Sequence, residues 1–341
     1  MNEKRLVYPD LLRIIATCAV IILHVCGRWW DVIPINTMQW QIINAFDASV
    51  RWAVPVFVMI SGMFFLNPEK EVTSEKIIKH IKRIIIALIV WGLFYQLFFN
   101  VLSKMILHHE AFSIEMVLNC LKSFLFGPPW YHLWFLYMII GLYILIPVYR
   151  VFTKNANEKQ FRYAIIIFFI FGLGLPFIKK VLLQFDSAYN IYFEISELIN
   201  YSGYFIAGYY LSKYSFTKKT QIVLYLSGFL SLLITIIISA YLTKKNQEVN
   251  SLLFGNLLPT TMLESFSIFI LIKEIMNKKE LPVKITKVIC NVSTCTFGIY
   301  LIHDFIRTLF EKIGVTAVFI NPIIAIPISC LLVFFYYCIY S

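Results

Sequence analysis

Ten apolar stretches, each close to bilayer-crossing length, recur along the chain: residues 8–27, 47–66, 83–103, 130–150, 162–178, 197–212, 220–242, 255–276, 289–310 and 319–341. Lipid offers no partner to a backbone N–H or C=O. A run of about 20 apolar residues placed there must therefore bond to itself as a helix. The pattern predicts an all-α, polytopic membrane protein of about ten transmembrane helices. Composition agrees. Hydrophobic residues make up 60% of the chain and charged residues only 14%, where a soluble domain carries about 25% charged residues.

The formal net charge of +11 does not point to nucleic acid, because the basic residues sit in the short loops between apolar runs, where they set orientation. With the N-terminus in the cytoplasm, 20 of the 30 Lys and Arg, from Lys4 and Arg5 to Lys284 and Lys287, fall on the cytoplasmic side. That bias predicts that both termini are cytoplasmic. No small-residue cleavage site follows the first run, which is expected to remain as a span. Residues 104–129 form the longest outer segment and are expected to hold a short helix lying on the membrane. No repeat occurs, no loop is long enough for a soluble domain, and none is expected after the last span. Residues 1–341 therefore read as a single domain. The seven cysteines show no CxxC or Cys/His metal spacing, which predicts free thiols and no metal site.

Charged and titratable residues inside apolar runs are costly, and so are functional candidates. The first run, "DLLRIIATCAVIILHVCG", carries Arg13 and His24. Eleven residues of helix turn through three revolutions plus about 20°, so both side chains share one face, about 16 Å apart along the axis. A structural reading stands beside the functional one. Arg13 can snorkel to headgroups or pair with Asp10 at i−3, and a membrane histidine can simply bond a neighbouring helix. Further candidates are Arg51 in "SVRWAVPVFVMISG", His132 and Trp134 in "YHLWFLYMIIGLY", Glu264 mid-run in "TTMLESFSIF", and His303 with Asp304 in "IYLIHDF". For Glu264 the competing reading is a protonated carboxyl bonded between helices. Pro55 and Gly62 read as aids to a kink and to close packing. Lys76, Lys79, His80, Lys82 and Arg83 begin the third run. They read as topology and anionic-lipid contacts, or as a phosphate-binding patch.

Taken in order, "PDLLRIIATCAVIILH", "SVRWAVPVFVMISG", "YHLWFLYMIIGLYILIPV", "YSGYFIAGYYL" and "FGIYLIH" resemble the motifs of the membrane acyltransferase-3 family, beginning with its R-x10-H signature. Within it the chain resembles the ten-span type that O-acetylates enterobacterial common antigen, which lacks an extra esterase-like domain. The resemblance implies a ten-helix fold in the bacterial cytoplasmic membrane. Such a protein takes an acyl group, usually acetyl, from cytoplasmic acyl-CoA and gives it to a hydroxyl of an envelope sugar or lipid-linked precursor. It implies that His24 is the catalytic histidine and Arg13 its companion. Arg83, with Lys79 four residues before it, stands where the family keeps its basic pair for the donor, and Lys82 beside them is a further donor-binding candidate. Relatives often carry two arginines there, and here the first is Lys79, or His80 in the R-x-x-R register.

The chemistry suits these residues. Histidine, with an unperturbed pKa near 6.5, can deprotonate a hydroxyl or carry an acyl group, and the spacing leaves both open. Arg13 is permanently charged and suits a donor phosphate or carbonyl oxygen. Asp10, Arg51, His132, Trp134, Glu264 and His303 remain as acceptor-side or supporting residues. Of these, His303 is expected to act more through packing than through chemistry. Trp29, Trp30, Trp40, Trp130 and Tyr131 suit an interfacial belt or sugar stacking. The expected partners are acyl-CoA as donor substrate, a glycan acceptor and membrane lipids. No permanently bound cofactor is expected, and a homo-oligomer is left open. A flippase for a lipid-linked sugar and a ligand-sensing membrane domain are the rival classes. The absence of paired broken helices or an inverted repeat argues against the flippase.

Overall fold

A computed structural model describes residues 6–107, 109, 111–184 and 197–340; Lys4 and Arg5 of the cationic count lie outside them. Among the described residues the secondary structure is helical, with no strand. In chain order the helices are α1 (Tyr8–Gly27), α2 (Met38–Ala48), α3 (Ala53–Phe65), α4 (Ser74–Leu97), α5 (Ser103–Leu107), α6 (Ile114–Phe126), α7 (Trp134–Ile144) and α8 (Ile146–Asn155). They continue as α9 (Glu158–Phe169), α10 (Leu175–Leu182), α11 (Glu197–Lys213), α12 (Lys218–Asn246), α13 (Pro259–Lys278), α14 (Val283–Lys312) and α15 (Pro322–Tyr340).

Helix starts follow local chemistry. The orphan N–H groups of a first turn need an acceptor. Thr37, Thr73, Ser113 and Thr217 supply one for α2, α4, α6 and α12. Asn157 and Gln160 bond reciprocally as a capping box for α9. Each of the ten expected stretches carries helix. Six helical segments are long and apolar enough to cross a membrane: Tyr8–Gly27, Met38–Phe65, Ser74–Ile106, Glu158–Leu182, Lys218–Asn246 and Val283–Lys312. Two of these run through a π-helical turn, at Phe98–Leu102 and Ile170–Gly174. A seventh is reached if α7 and α8 count as one span bent by 54°. The bend falls just before Pro147, which lacks an N–H and disfavours helix at the residue before it. The 17-residue α11 is short, and α13 carries Glu264, Lys273, Glu274 and Lys278. The stretch expected to hold a surface helix contains α6.

The chain divides into two compact units, residues 1–67 with 153–341, and residues 68–152. In the first, α1 packs on α14, α15 and α3, while α3 packs on α11 and α12 on α13. The α3–α11 seam is backbone against backbone. A Cβ on Gly62 would stand 1.8 Å from the Phe205 carbonyl oxygen, and one on Gly208 would stand 1.9 Å from that of Met59. Close packing is therefore what Gly62 provides. Pro55 lies in the first turn of α3, where a missing N–H costs no helical bond. At the end of α11, the buried Lys273 Nζ donates to the carbonyls of Leu211 (2.7 Å) and Tyr214 (2.9 Å). A cation there meets the negative end of the helix dipole. In the second unit, α4 packs against α6 and α7.

Candidate active site

The first unit brings together Asp10, Arg13, His24 and His303 along the α1–α14 interface. Arg13 is held from both sides. Its Nη1 donates to Asp10 Oδ1 at 2.8 Å, and its guanidinium stands 5.0 Å from the centre of the Phe64 ring. Asp10 is buried and is itself fixed by a 2.8 Å bond from Ser293 Oγ on α14. The Arg13 side chain remains 30% exposed. The i−3 pairing expected from sequence is present, and Ser293 adds a long-range anchor.

At the other end of α1, His24 is half-buried and stacks on His303 of α14, with ring centres 5.1 Å apart and planes at 29°. His303 is fully buried, and its Nδ1 lies 2.7 Å from the Tyr300 carbonyl oxygen. A carbonyl only accepts, so Nδ1 carries the hydrogen. The next residue, Asp304, is also fully buried. It accepts from Arg307 Nε (2.8 Å) and Nη2 (2.6 Å), and Arg307 also pairs with Glu311. This buried network stiffens the segment of α14 that carries His303. Between the Arg13 and His24 ends, Thr17, Val20, Ile21, Phe57, Tyr300 and His303 enclose a cavity of about 10 Å³, close to the minimum for one water.

Arg51 and Glu264 meet elsewhere in this unit. Arg51 pairs with the fully buried Asp47 at 2.5 Å and lies 4.4 Å from the Phe254 ring centre. It is within electrostatic reach of Glu264. Glu264 is 5% exposed, and its Oε2 has no hydrogen-bond partner among the described residues; the same holds for Asp47 Oδ1 and Arg51 Nε. Cys26, two residues beyond His24, is within electrostatic reach of Asp47 and Arg51. The cluster therefore belongs to the His24 end of α1. Trp30 packs on Phe254 (4.8 Å) and bonds Asn44 (3.3 Å) beside it.

The second unit carries the remaining candidates. Lys79, Lys82 and Arg83 are exposed on α4 and line an open pocket of about 580 Å³ with Glu75, Ile78 and Ile86. His132 is buried, edge-on to Tyr95 at 5.2 Å. Trp130 stacks on Tyr95 (5.2 Å) and Phe99 (4.6 Å). His132 thus sits in an aromatic nest, and Trp134, edge-on to Phe135 at 6.3 Å, stands two residues further along.

Sequence reasoning passed over Asp47, Ser293 and Arg307. The i+4 spacing of Asp47 and Arg51 and the i+3 spacing of Asp304 and Arg307 were visible signals; for Ser293 there was none. All seven cysteines are free thiols. Among the described residues no group of three or more metal-ligating side chains stands together.

A family model described as an acyltransferase domain, Acyl_transf_3, matches residues 6–340. The chain belongs to the acyltransferase-3 family. Comparisons with curated proteins and with solved structures return no match. With its apolar helices, this acyltransferase is a multi-pass membrane protein. What its first unit offers chemically is an anchored, partly exposed arginine and a half-buried imidazole on one helix face.

Proposed function

We propose that the protein moves an acyl group, acetyl in the simplest case, from cytoplasmic acyl-CoA to a hydroxyl of a cell-envelope sugar or lipid-linked precursor. This is the ten-span chemistry of the type that modifies enterobacterial common antigen. The observation that carries the reading is the α1 face, where Arg13 is braced by Asp10 and Ser293 and His24 is seated on α14. The chain crosses the bacterial cytoplasmic membrane ten times as one acyltransferase domain, with both termini inside. The Arg13 end then faces the cytosol.

In this reading Arg13 holds the donor in the first unit, and the acyl thioester reaches His24; the Lys79/Lys82/Arg83 patch of the second unit is, by itself, a phosphate-binding surface. The acceptor approaches from the Arg51 side. There the positive charge of Arg51 is met by Asp47, so this end suits a neutral hydroxyl-rich ligand better than a phosphate. Buried polar atoms of both kinds, acceptors on Asp47 and Glu264 and a donor on Arg51, match hydroxyls, which both donate and accept. His24 removes the hydroxyl proton as the oxygen attacks the thioester carbonyl. The C–S bond breaks, and the CoA thiolate takes up the proton.

The test uses membranes containing the protein and acetyl-CoA labelled in the acetyl group. Label should pass to the envelope glycan fraction with release of CoA thiol. His24→Ala, inserted normally, should lower that rate about a hundredfold or more, the range for losing a general base. A carrier or sensor would release no thiol, and near-normal transfer by a well-folded His24→Ala protein would return His24 to a structural role.

A further inference from the structure

We propose that His303 is a positioning residue for His24, and that its imidazole face is the surface on which the reacting ring is oriented. The inference rests on His24 being the base, and it assigns to His303 a task that packing alone does not require.

Three observations converge. The rings lie 5.1 Å apart at 29°, a near-parallel contact that fixes the plane of the His24 ring. The His303 ring is pinned by its own bond to the Tyr300 carbonyl oxygen (2.7 Å). The backbone beneath it is held by the Asp304–Arg307–Glu311 network. The half-buried ring therefore rests on a fully buried, immobile one. A histidine base must present one chosen nitrogen to a hydroxyl within hydrogen-bond distance, so a ring free to rotate loses most productive encounters. Stacking holds the ring by its face and does not itself engage the nitrogens at the ring edge. When the acceptor proton arrives, the imidazolium lies over a π-face, a favourable arrangement for a cation.

The experiment compares His303→Ala and His303→Phe with the parent protein in detergent or nanodiscs, after matching their thermal stability. Removing the face should lower kcat for acyl transfer from acetyl-CoA about tenfold or more. The acetyl-CoA KM should stay within about twofold, because Arg13 and its anchors are untouched. Phe restores a face, and kcat should recover at least half of the loss on a logarithmic scale. A second readout does not depend on transfer. In protein labelled at histidine, the His24 ring resonances should lose their ring-current shift in His303→Ala and keep one in His303→Phe. Should His24→Ala transfer at a near-normal rate, the positioning role would fall with the proposed function; an inactive His24→Ala beside an unchanged kcat in His303→Ala would overturn the positioning role alone, even if the resonances moved. A stable His303→Ala protein with unchanged kcat and unchanged His24 resonances would overturn the inference directly. Equal losses in Ala and Phe would overturn the role of the face.

Discussion

At the scale of single residues, the spacing of Arg13 and His24 was legible because an α-helix converts eleven positions into a fixed angle and rise. Asp10 followed from the same arithmetic. Its second partner, Ser293, did not, because nothing local in either segment names the other. The braced cation leads to a measurable expectation. Arg13→Gln should weaken acyl-CoA binding more than Arg13→Lys. Asp10→Asn, which releases the brace, should produce a smaller loss of the same kind. Each charge-assisted contact removed should cost on the order of 1.5–3 kcal/mol, read by titrating acetyl-CoA into purified variants. Arg51 offers a contrast. Its partner Asp47 is fully buried, so Arg51→Gln leaves a carboxylate stranded, and breaking such a pair typically costs about 3–5 kcal/mol of stability. The double variant Asp47→Asn with Arg51→Gln should melt closer to the parent than Arg51→Gln alone. Equal melting of the two would show that the pair is not coupled.

At the scale of helices, each stretch marked by hydrophobic length carries helix, though α2 lies almost wholly between two of them, and length did not distinguish loop cations from buried ones. Lys273 and Arg307 were counted as loop charges. The first caps α11 and the second is locked to Asp304. One belongs to each side of the count, so the sense of the charge bias survives. Periodicity also cannot report where two helices touch. Gly62 in "ISG" of α3 reads as an aid to close packing, but neither it nor "IAG" in α11 names the opposite backbone that its glycine meets. Gly62→Ala and Gly208→Ala each place a methyl group within 2 Å of a carbonyl oxygen. Each is expected to cost more than the roughly 1–3 kcal/mol typical of overpacking, seen as a lower melting temperature or loss of folded protein. Gly27→Ala, with open space around it, is the control.

At the scale of the whole molecule, the all-helical class followed from the demand that a buried backbone satisfy itself. Sidedness is a separate matter, argued from charge alone, and it has its own test. In a cysteine-free background, Ala156→Cys in the turn between α8 and α9 should react with a membrane-impermeant maleimide only after permeabilisation. Reaction in intact cells would invert the proposed topology. The division into two units was not legible, because both are built from the same apolar helices.

The seam between α3 and α11 has a mechanical consequence. Side chains can change rotamer and let helices slide, but two backbones in contact at glycine have nothing to rearrange. These helices must travel as a single strut. In the proposed reaction, the widening that admits an acyl chain beside His24 is therefore left to α1 and α14, which face each other through rotatable groups, Thr17 and Tyr300 among them. A cross-link joining α3 to α11 should leave turnover intact, whereas one joining α1 to α14 near Thr17 should stop it.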